Sequence, residues 1–141
     1  MHKFLISIFV ALFAYTNTTV AQVTISSSEL VGTKWQPSAV YESHSSEYSE
    51  FTKDAFIWHC ENGTTLPRPF YLSTTIPEKF DSTKVGVSSK GCYYNEYVNK
   101  DHFCCFAILS FDKANGIMVL DLKNEPFIGP TTITYIRIDK K

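Results

Sequence analysis

Short segments rich in Val, Ile, Thr, Tyr and Phe recur along the chain, and clusters of Gly, Pro, Asn and Asp separate them. Segments of this length and composition are typical of β-strands, and the apolar residues do not follow the period of an amphipathic helix. The predicted strands span residues 33–42, 48–52, 55–60, 70–75, 84–88, 92–98, 103–111, 117–123 and 132–139. The sequence therefore predicts an all-β domain of eight or nine strands.

The connections between these segments are short, so strands that follow one another in sequence are expected to pair. Residues 53–54 and 89–91 form tight links, and Asn115-Gly116 marks a turn between two later strands. A flat row of antiparallel strands would leave two edges open, whereas closure into an up-and-down barrel removes both edges. The proline-containing stretches 61–69 and 76–83 are expected to be loops at the rims of that barrel.

The first 21 residues have the pattern of a secretory signal peptide. Lys3 precedes an apolar run over residues 4–15, and Thr19-Val20-Ala21 ends the segment with small residues at the cleavage positions. An apolar run of about 12 residues is shorter than the roughly 20 that a membrane-spanning helix needs. We therefore expect cleavage after Ala21, one mature domain over residues 22–141, a periplasmic or extracellular location, and no membrane contact of the mature chain.

The balance of charge argues against a nucleic-acid partner. The chain carries 13 basic and 14 acidic side chains, a formal net charge of -1, and it has no surplus of Lys and Arg to neutralise a phosphate backbone. Hydrophobic residues make up 44% of the chain, which is enough to build one core and makes disorder a poor expectation. A folded single domain follows from these numbers.

Four cysteines lie beyond the predicted leader: Cys60, Cys92, Cys104 and Cys105. In an exported protein they can form structural disulfides, although Cys104 and Cys105 are adjacent and would face opposite sides of a strand. Buried free thiols are the second interpretation. A metal site or a catalytic thiol is the third, and it is the least favoured because His44, His59 and His102 are scattered without ligand spacing. We predict no metal and no cofactor.

In a closed meander the first and last strands are neighbours, which brings Trp35 near Arg137. The last strand alternates, with Ile133, Tyr135 and Arg137 on one side. The guanidinium of Arg137 is then expected to stack on the indole of Trp35, as a cation–π pair that ties the barrel shut. The alternative is a solvated Arg137 and a Trp35 that simply anchors the core.

Several stretches resemble the exported lipocalin-like domains of gut-type bacteria. They are LVGTKW at residues 30–35, YLSTTIP at 71–77, KFDSTKVG at 79–86, GCYY at 91–94 and TYIRI at 134–138. The resemblance covers most of the mature chain and implies a small eight-stranded barrel of the calycin type. It also implies structural roles for Trp35, as the floor of the barrel, and for Arg137, as the stacking cation. One departure is that two residues separate Gly32 from Trp35, where lipocalins proper have one.

The sequence favours binding over catalysis. It contains no Ser, Cys or Gly-rich catalytic motif, and Asp81, Asp112 and Glu125 lie beside turns, where carboxylates commonly cap a bend. Seventeen aromatic residues lie beyond residue 21, and the interior of an eight-stranded barrel holds either packed side chains or one small ligand. We predict that the protein is not an enzyme.

The predicted function is the binding of a small hydrophobic molecule inside the barrel. Tyr41 and Tyr135 are the predicted ligand-binding residues, because strand alternation places them on the side shared with Trp35 and Arg137. The alternatives are a barrel whose aromatic residues fill it completely, and a protein-interaction or inhibitor module that uses the rim loops, including the polar hairpin at residues 43–49.

Overall fold

The computed structural model describes residues 22–126 and 129–139, and the predicted leader at residues 1–21 lies outside them. The strands are β1 (Ile25–Ser26), β2 (Lys34–Pro37), β3 (Tyr48–Phe51), β4 (Ala55–His59), β5 (Thr65–Ser73), β6 (Lys90–Gly91), β7 (Tyr93–Asn99), β8 (His102–Asp112), β9 (Ile117–Leu122) and β10 (Thr132–Arg137). The helix α1 (Ser38–Glu42) follows β2, and turns of 3-10 helix lie at Ser27–Glu29 and Ser82–Lys84. No helix in the two described ranges is long and apolar enough to cross a membrane.

Eight of the strands close into an antiparallel barrel, in the order β10-β2-β3-β4-β5-β7-β8-β9. The strands β1 and β6 form a small separate sheet, in which Ile25 lies opposite Gly91. Neighbours in the barrel are neighbours in sequence, apart from the passage over β6 and the closing pair of β10 with β2. The prediction of a small all-β, up-and-down barrel of eight strands is therefore confirmed, and closure places Arg137 directly opposite Trp35.

Aromatic rings fill the middle of the barrel. Successive side chains of a strand point to opposite faces, so every second residue turns inward. The buried core contains these inward residues of the barrel strands: Trp35, Phe51, Phe56, Phe70, Leu72, Tyr94, Phe106, Ile108, Met118 and Leu120. Phe51 stacks on Phe56 with ring centroids 3.9 Å apart, and it meets Phe70 edge to face at 5.1 Å.

The lower end of the barrel, where β2 begins and β10 ends, is packed. Trp35 is fully buried there, and its ring centroid lies 6.0 Å from that of Phe111. Leu30 and Ile25, from the segment before β2, join the same core. The upper end, where β2 passes into α1 and β8 begins, is different, and the candidate site lies there.

Residues 74–89 cross the outer face of the barrel between β5 and β6. Phe80, near the middle of this segment, packs against Tyr71, Tyr97 and Phe103, with ring centroids 5.0, 5.4 and 6.1 Å away. Tyr71 lies between two inward-facing residues of β5 and so points outward, yet only 1% of its surface is exposed. The segment therefore buries a second, outer group of aromatic rings.

Two predictions for residues 74–89 are wrong. Residues 84–88 do not form a strand, because the 3-10 turn at Ser82–Lys84 occupies their start and Asp81 caps it, with Oδ1 accepting from the Thr83 N–H at 3.1 Å. Gly86 follows with φ +77°, a left-handed conformation that interrupts an extended strand. Residues 76–83 cover the outer face instead of lying at a rim, since Phe80 finds its partners on β5, β7 and β8.

The loop predicted for residues 61–69 is shorter than expected, because β5 begins at Thr65 and includes Pro67 and Pro69. Both prolines pair with β4, and pairing with β7 begins only at Phe70. The Phe70 N–H donates to the Asp54 carbonyl on the β4 side, so the nitrogens at positions 67 and 69 face the other, unpaired side. A missing N–H costs no ladder hydrogen bond there, which explains how the strand accommodates two prolines.

The strand predicted for residues 33–42 ends early. The strand β2 stops at Pro37, and the next five residues form α1. A proline has no N–H with which to extend the ladder, and Pro37 directly precedes the helix with φ -54°. This change of direction removes residues 38–42 from the barrel wall and decides the position of Tyr41, described below.

Candidate functional site

A cavity of about 320 Å³ lies at the upper end of the barrel. Its lining combines inward residues of the strands with residues of the upper rim: Pro37, Val40, Glu47, Tyr48, Ser49, Phe56, Trp58, Arg68, Glu96, Cys104, Phe106, Ile133 and Tyr135. Apolar and aromatic side chains form most of this wall, and a few polar groups converge on it. Such a combination is typical of small-molecule sites, which generally begin at about 300 Å³.

The cavity arises because the inward-facing residues change from aromatic to polar towards the upper end of the barrel. Residues directly opposite each other on antiparallel strands share a face, as Phe56 does with Arg68 and Glu96 with Cys104. On three strands the inner residue changes from aromatic to polar within one step of two residues: Phe70 to Arg68, Tyr94 to Glu96, and Phe106 to Cys104. The rings that fill the middle of the barrel therefore stop below the upper rim.

The polar wall is centred on the buried carboxylate of Glu96. Its Oε1 accepts a hydrogen bond from the Tyr94 hydroxyl at 3.0 Å, and its Oε2 lies 3.5 Å from Nη1 of Arg68. Burial raises the pKa of Glu96, and the hydrogen bonds and positive charge of Tyr94 and Arg68 offset only part of that effect. Burial, with the nearby charge of Glu96, also raises the pKa of Tyr94 well above its ordinary value. The wall thus holds a carboxyl group of raised proton affinity beside a cation.

Tyr135, predicted to bind the ligand, lines the cavity. It lies opposite Pro37 across the closing strand pair, and its ring meets Phe56 edge to face at a centroid distance of 5.7 Å. Burial raises the pKa of Tyr135, and the negative charge of Glu96 adds to this effect, so the hydroxyl stays protonated at neutral pH. Tyr135 can therefore offer both an aromatic face and a hydrogen-bond donor to a bound molecule.

Tyr41, the other predicted ligand-binding residue, does not line the cavity. It lies on α1 with 51% of its surface exposed, and its neighbour Val40 contributes to the cavity wall instead. The prediction assumed a strand through residue 42, in which Tyr41 would share the inner side with Trp35. The turn into a helix after Pro37 changes the side-chain period and places Tyr41 outside.

Trp35 and Arg137 lie opposite each other at the lower end, as the closed barrel requires. The Trp35 Nε1–H donates to Thr33 Oγ1 at 2.7 Å, so the indole is satisfied within its own segment. Arg137 donates from Nε to Asp139 Oδ1 at 2.8 Å and from Nη2 to Asp139 Oδ2 at 3.2 Å. Asp139 Oδ1 also accepts from the Lys34 N–H at 3.1 Å, and this bond links the end of β10 to the start of β2.

The expected stacking of Arg137 on Trp35 is not among the cation–π contacts of residues 22–126 and 129–139. Those contacts are Lys34 over Tyr48, at 5.4 Å from the ring centroid, and Lys84 over Tyr71, at 5.7 Å. The bidentate pair with Asp139 is the contact that orients the guanidinium instead. At the closing pair of β10 with β2, the Arg137 side chain is therefore held by the Asp139 carboxylate and not by the Trp35 ring.

The four cysteines are free thiols, so the structural disulfides are not formed; the second interpretation, buried free thiols, holds in full only for Cys105, because the other three thiols are partly exposed. Cys105 is buried on the outer side of β8, and Cys104 faces the cavity. Burial raises the pKa of both thiols to about 11, and for Cys104 the charges of Glu125 and Glu96 contribute to the increase. Each thiol is therefore protonated at neutral pH, which makes it a weak nucleophile.

His102, Cys104 and Glu125 come together at the upper rim, with donor atoms within 4.8 Å of one another. The Nδ1 atom of His102 lies 2.6 Å from Oε1 of Glu125, and its Nε2 lies 3.7 Å from Sγ of Cys104. Sequence reasoning missed this group because it looked for clustered ligands along the chain. The spacing of His102 and Cys104 places both side chains on one face of a strand, and that spacing was the available sign.

A second and more open depression of about 720 Å³ lies on the outside of the barrel, beside Phe80. Its wall includes charged and polar residues of the β7–β8 hairpin, among them Lys100, Asp101 and His102. His102 therefore stands between the inner cavity, which Cys104 lines, and the outer surface.

The comparisons with known proteins add no assignment. No protein-family model matches the chain, and no curated protein or solved structure matches it. The resemblance to exported lipocalin-like domains therefore stays a prediction, whereas the eight-stranded barrel stands on the strand pairing described above.

Proposed function

We propose that this protein is a lipocalin-like binding protein that holds a small, mostly apolar molecule in the upper cavity of its barrel. The observation that carries the proposal is the contrast within one interior: the lower half is packed, and the upper half leaves about 320 Å³ between aromatic and aliphatic side chains. Protein interiors generally leave few voids of this size. If the upper half served only for packing, apolar side chains would be expected to fill the space.

The polar wall indicates what the ligand carries besides apolar surface. Arg68, with 38% of its side chain exposed, keeps guanidinium N–H donors beyond its single long contact with Glu96. The Tyr135 hydroxyl adds a donor on the opposite wall. A molecule with an apolar body and one hydrogen-bond-accepting group fits this arrangement, because the body contacts rings such as Trp58 and Phe106 while the acceptor faces Arg68 or Tyr135.

The proposal includes the cellular setting that the sequence predicts. The chain would act in the periplasm or outside the cell after removal of residues 1–21, without catalysis and without a nucleic-acid partner. The leader pattern and the balanced charge support this setting.

Native mass spectrometry of the protein purified from the cells that produce it tests the proposal. A retained small molecule, released on unfolding, is the expected result. A stoichiometric co-purified protein with an empty cavity would instead support the alternative, a protein-interaction or inhibitor module that uses the rim loops.

A cavity-filling variant shows where the molecule binds. Ser49 faces the cavity, so Ser49→Phe should fill it and weaken binding of the apolar dye anilinonaphthalene sulfonate, measured by fluorescence titration, by about tenfold or more. Ser110→Phe is the matched control, because Ser110 lies on β8 outside the cavity lining. Equal dye affinity in Ser49→Phe and the wild type, with both folded by circular dichroism, would contradict the proposed site. If Ser49→Phe does not fold, Ile133→Phe provides the same test from β10.

A further inference from the structure

Three side chains at the upper rim, His102, Cys104 and Glu125, combine an imidazole, a thiol and a carboxylate in one place. His102 and Cys104 lie two residues apart on β8, so both project from the same face of the strand. Glu125 comes from the segment that follows β9, the strand beside β8. The barrel thus brings together donor types that zinc and related transition-metal ions use in proteins.

The distance between the sulfur and the imidazole nitrogen fits one shared ion. Zinc–sulfur bonds of about 2.3 Å and zinc–nitrogen bonds of about 2.1 Å, at a tetrahedral angle, separate the two donor atoms by about 3.6 Å. Sγ of Cys104 and Nε2 of His102 are 3.7 Å apart. The two donors therefore need little movement to share a tetrahedral metal ion.

Glu125 is placed to orient the imidazole. Its Oε1 lies 2.6 Å from Nδ1 of His102, a hydrogen-bond distance. In a neutral imidazole that donates from Nδ1 to this carboxylate, Nε2 is the nitrogen with the free lone pair, and Nε2 is the atom that lies near Cys104. A carboxylate that holds the far nitrogen of a metal-binding histidine is the usual supporting contact in zinc proteins. The same distance is too short for Oε1 and Nδ1 to bind one ion side by side, which assigns Glu125 a positioning role.

The backbone around Glu125 is fixed to β8. Asn124, its neighbour, accepts from the Cys105 N–H at 2.9 Å and donates to the Phe103 carbonyl at 2.9 Å. The Lys123 N–H donates to the Cys105 carbonyl at 2.8 Å. These bonds attach the segment to the residues on either side of Cys104, so the carboxylate meets His102 in a prepared arrangement.

Charged groups of both signs lie near the Cys104 sulfur. Glu125 and Glu96 both place negative charge near Cys104, and Arg68 offsets part of it. Because Cys104 lines the cavity and His102 lines the outer depression, an ion between them would lie where these two spaces approach each other.

We propose that Cys104 and His102 bind one divalent transition-metal ion of the zinc class at the upper rim of the barrel, with Glu125 as the residue that orients His102. The sulfur binds as a thiolate, and its proton passes to solvent when the ion binds. Water, or a donor atom of a molecule in the cavity, completes the coordination. This proposal stands on the rim geometry alone, so it holds or fails independently of the apolar ligand proposed above. The alternative is a metal-free arrangement in which His102 contacts Glu125 through Nδ1 and forms a hydrogen bond with the Cys104 thiol through Nε2.

Titration of the reduced, metal-free protein with Co²⁺ tests the site, because a sulfur ligand gives a sulfur-to-cobalt charge-transfer band and tetrahedral coordination gives intense visible bands. We expect both bands to saturate at one ion per chain and Zn²⁺ to remove them by competition. Cys104→Ser should abolish the charge-transfer band. His102→Gln should weaken binding by about tenfold or more, and Glu125→Gln, which keeps an acceptor for the imidazole N–H, by about tenfold or less.

His59→Gln and Cys60→Ser are the matched controls, because these residues are also an imidazole and a thiol near the upper rim but are not part of the group. Both should bind Co²⁺ as the wild type does. Absence of the charge-transfer band in the wild type, or its survival in Cys104→Ser, would overturn the proposal. Should the variants fail to fold, X-ray absorption of the Zn²⁺-loaded wild type decides: one sulfur and one imidazole neighbour support the site, and a shell without sulfur refutes it.

Discussion

Trp35 at the lower end of the barrel is fully buried, whereas Trp58 at the upper end keeps 38% of its surface exposed and lines the cavity. Both indoles face the same interior, because Trp35 and Trp58 each lie opposite Ser49 on the strand between them. The difference between the two ends therefore does not come from strand order or alternation. It comes from what surrounds each ring.

At the lower end, the Phe111 ring lies beside Trp35 in the packed core, and a hydrogen bond to Thr33 satisfies the indole N–H. At the upper end, the inner positions carry Arg68 and Glu96, which do not pack as closely as rings do. The comparison suggests a division of roles, in which the lower end supplies stability and the upper end supplies binding. Four substitutions test that division, from the largest expected effect on stability to the smallest.

Trp35→Ala should give the largest loss of stability. Removal of a fully buried indole leaves a void in a packed region, and large-to-small changes of this kind cost about 3–5 kcal/mol. The measurement is the free energy of unfolding from urea denaturation, followed by circular dichroism. Trp58→Ala is the control at the other end and should cost clearly less, because that ring is partly exposed. Equal losses for the two variants would show that the ends do not differ as described.

Asp139→Asn should weaken the seam of the barrel by about 1–2 kcal/mol at pH 7, because it weakens charge-assisted bonds to Arg137. The Arg137 hydrogen bond lowers the pKa of Asp139, so its stabilising effect is present above the unfolded-state pKa of about 3.9. That effect disappears as the pH falls through the lower folded-state pKa. Urea denaturation at several pH values should show that the difference in the free energy of unfolding between wild type and variant becomes smaller in acid. A difference that does not depend on pH would contradict this account.

Glu96→Gln should have a smaller effect and the opposite pH dependence. Burial raises the pKa of Glu96, so its contribution to stability is greatest below the unfolded-state pKa of about 4.3 and is lost as the pH rises through the folded-state value. Relative to the variant, the wild type should therefore lose stability between acid and neutral pH, by about 1 kcal/mol or less. The same denaturation series measures it. If the free energy of unfolding of the wild type instead increased relative to that of the variant as the pH rises, the positive charge of Arg68 would outweigh the effect of burial on Glu96.

The fold was predictable from the sequence because strand alternation and short connections act locally, and the pairing of Trp35 with Arg137 followed from closure. The partner of Arg137 was not, although only Ile138 separates it from Asp139, because a cation–π pair with Trp35 was equally compatible with the pattern. The rim group was missed because Glu125 reaches His102 only through the pairing of two strands. Local patterns thus specify the strands, whereas the site depends on contacts between residues far apart in sequence.

Tyr41→Ser should have the smallest effect, and it tests the boundary between the barrel wall and the rim. Tyr41 is half-exposed on α1, so its loss should change stability by about 0.5 kcal/mol or less and leave the dye affinity of the cavity unchanged. Tyr135→Phe is the informative partner, because it removes only a hydroxyl from the cavity wall. It should weaken binding of a ligand that carries an acceptor while leaving a purely apolar ligand unaffected. If Tyr41→Ser weakened dye binding instead, Tyr41 would belong to the site together with its neighbour Val40, which already lines the cavity.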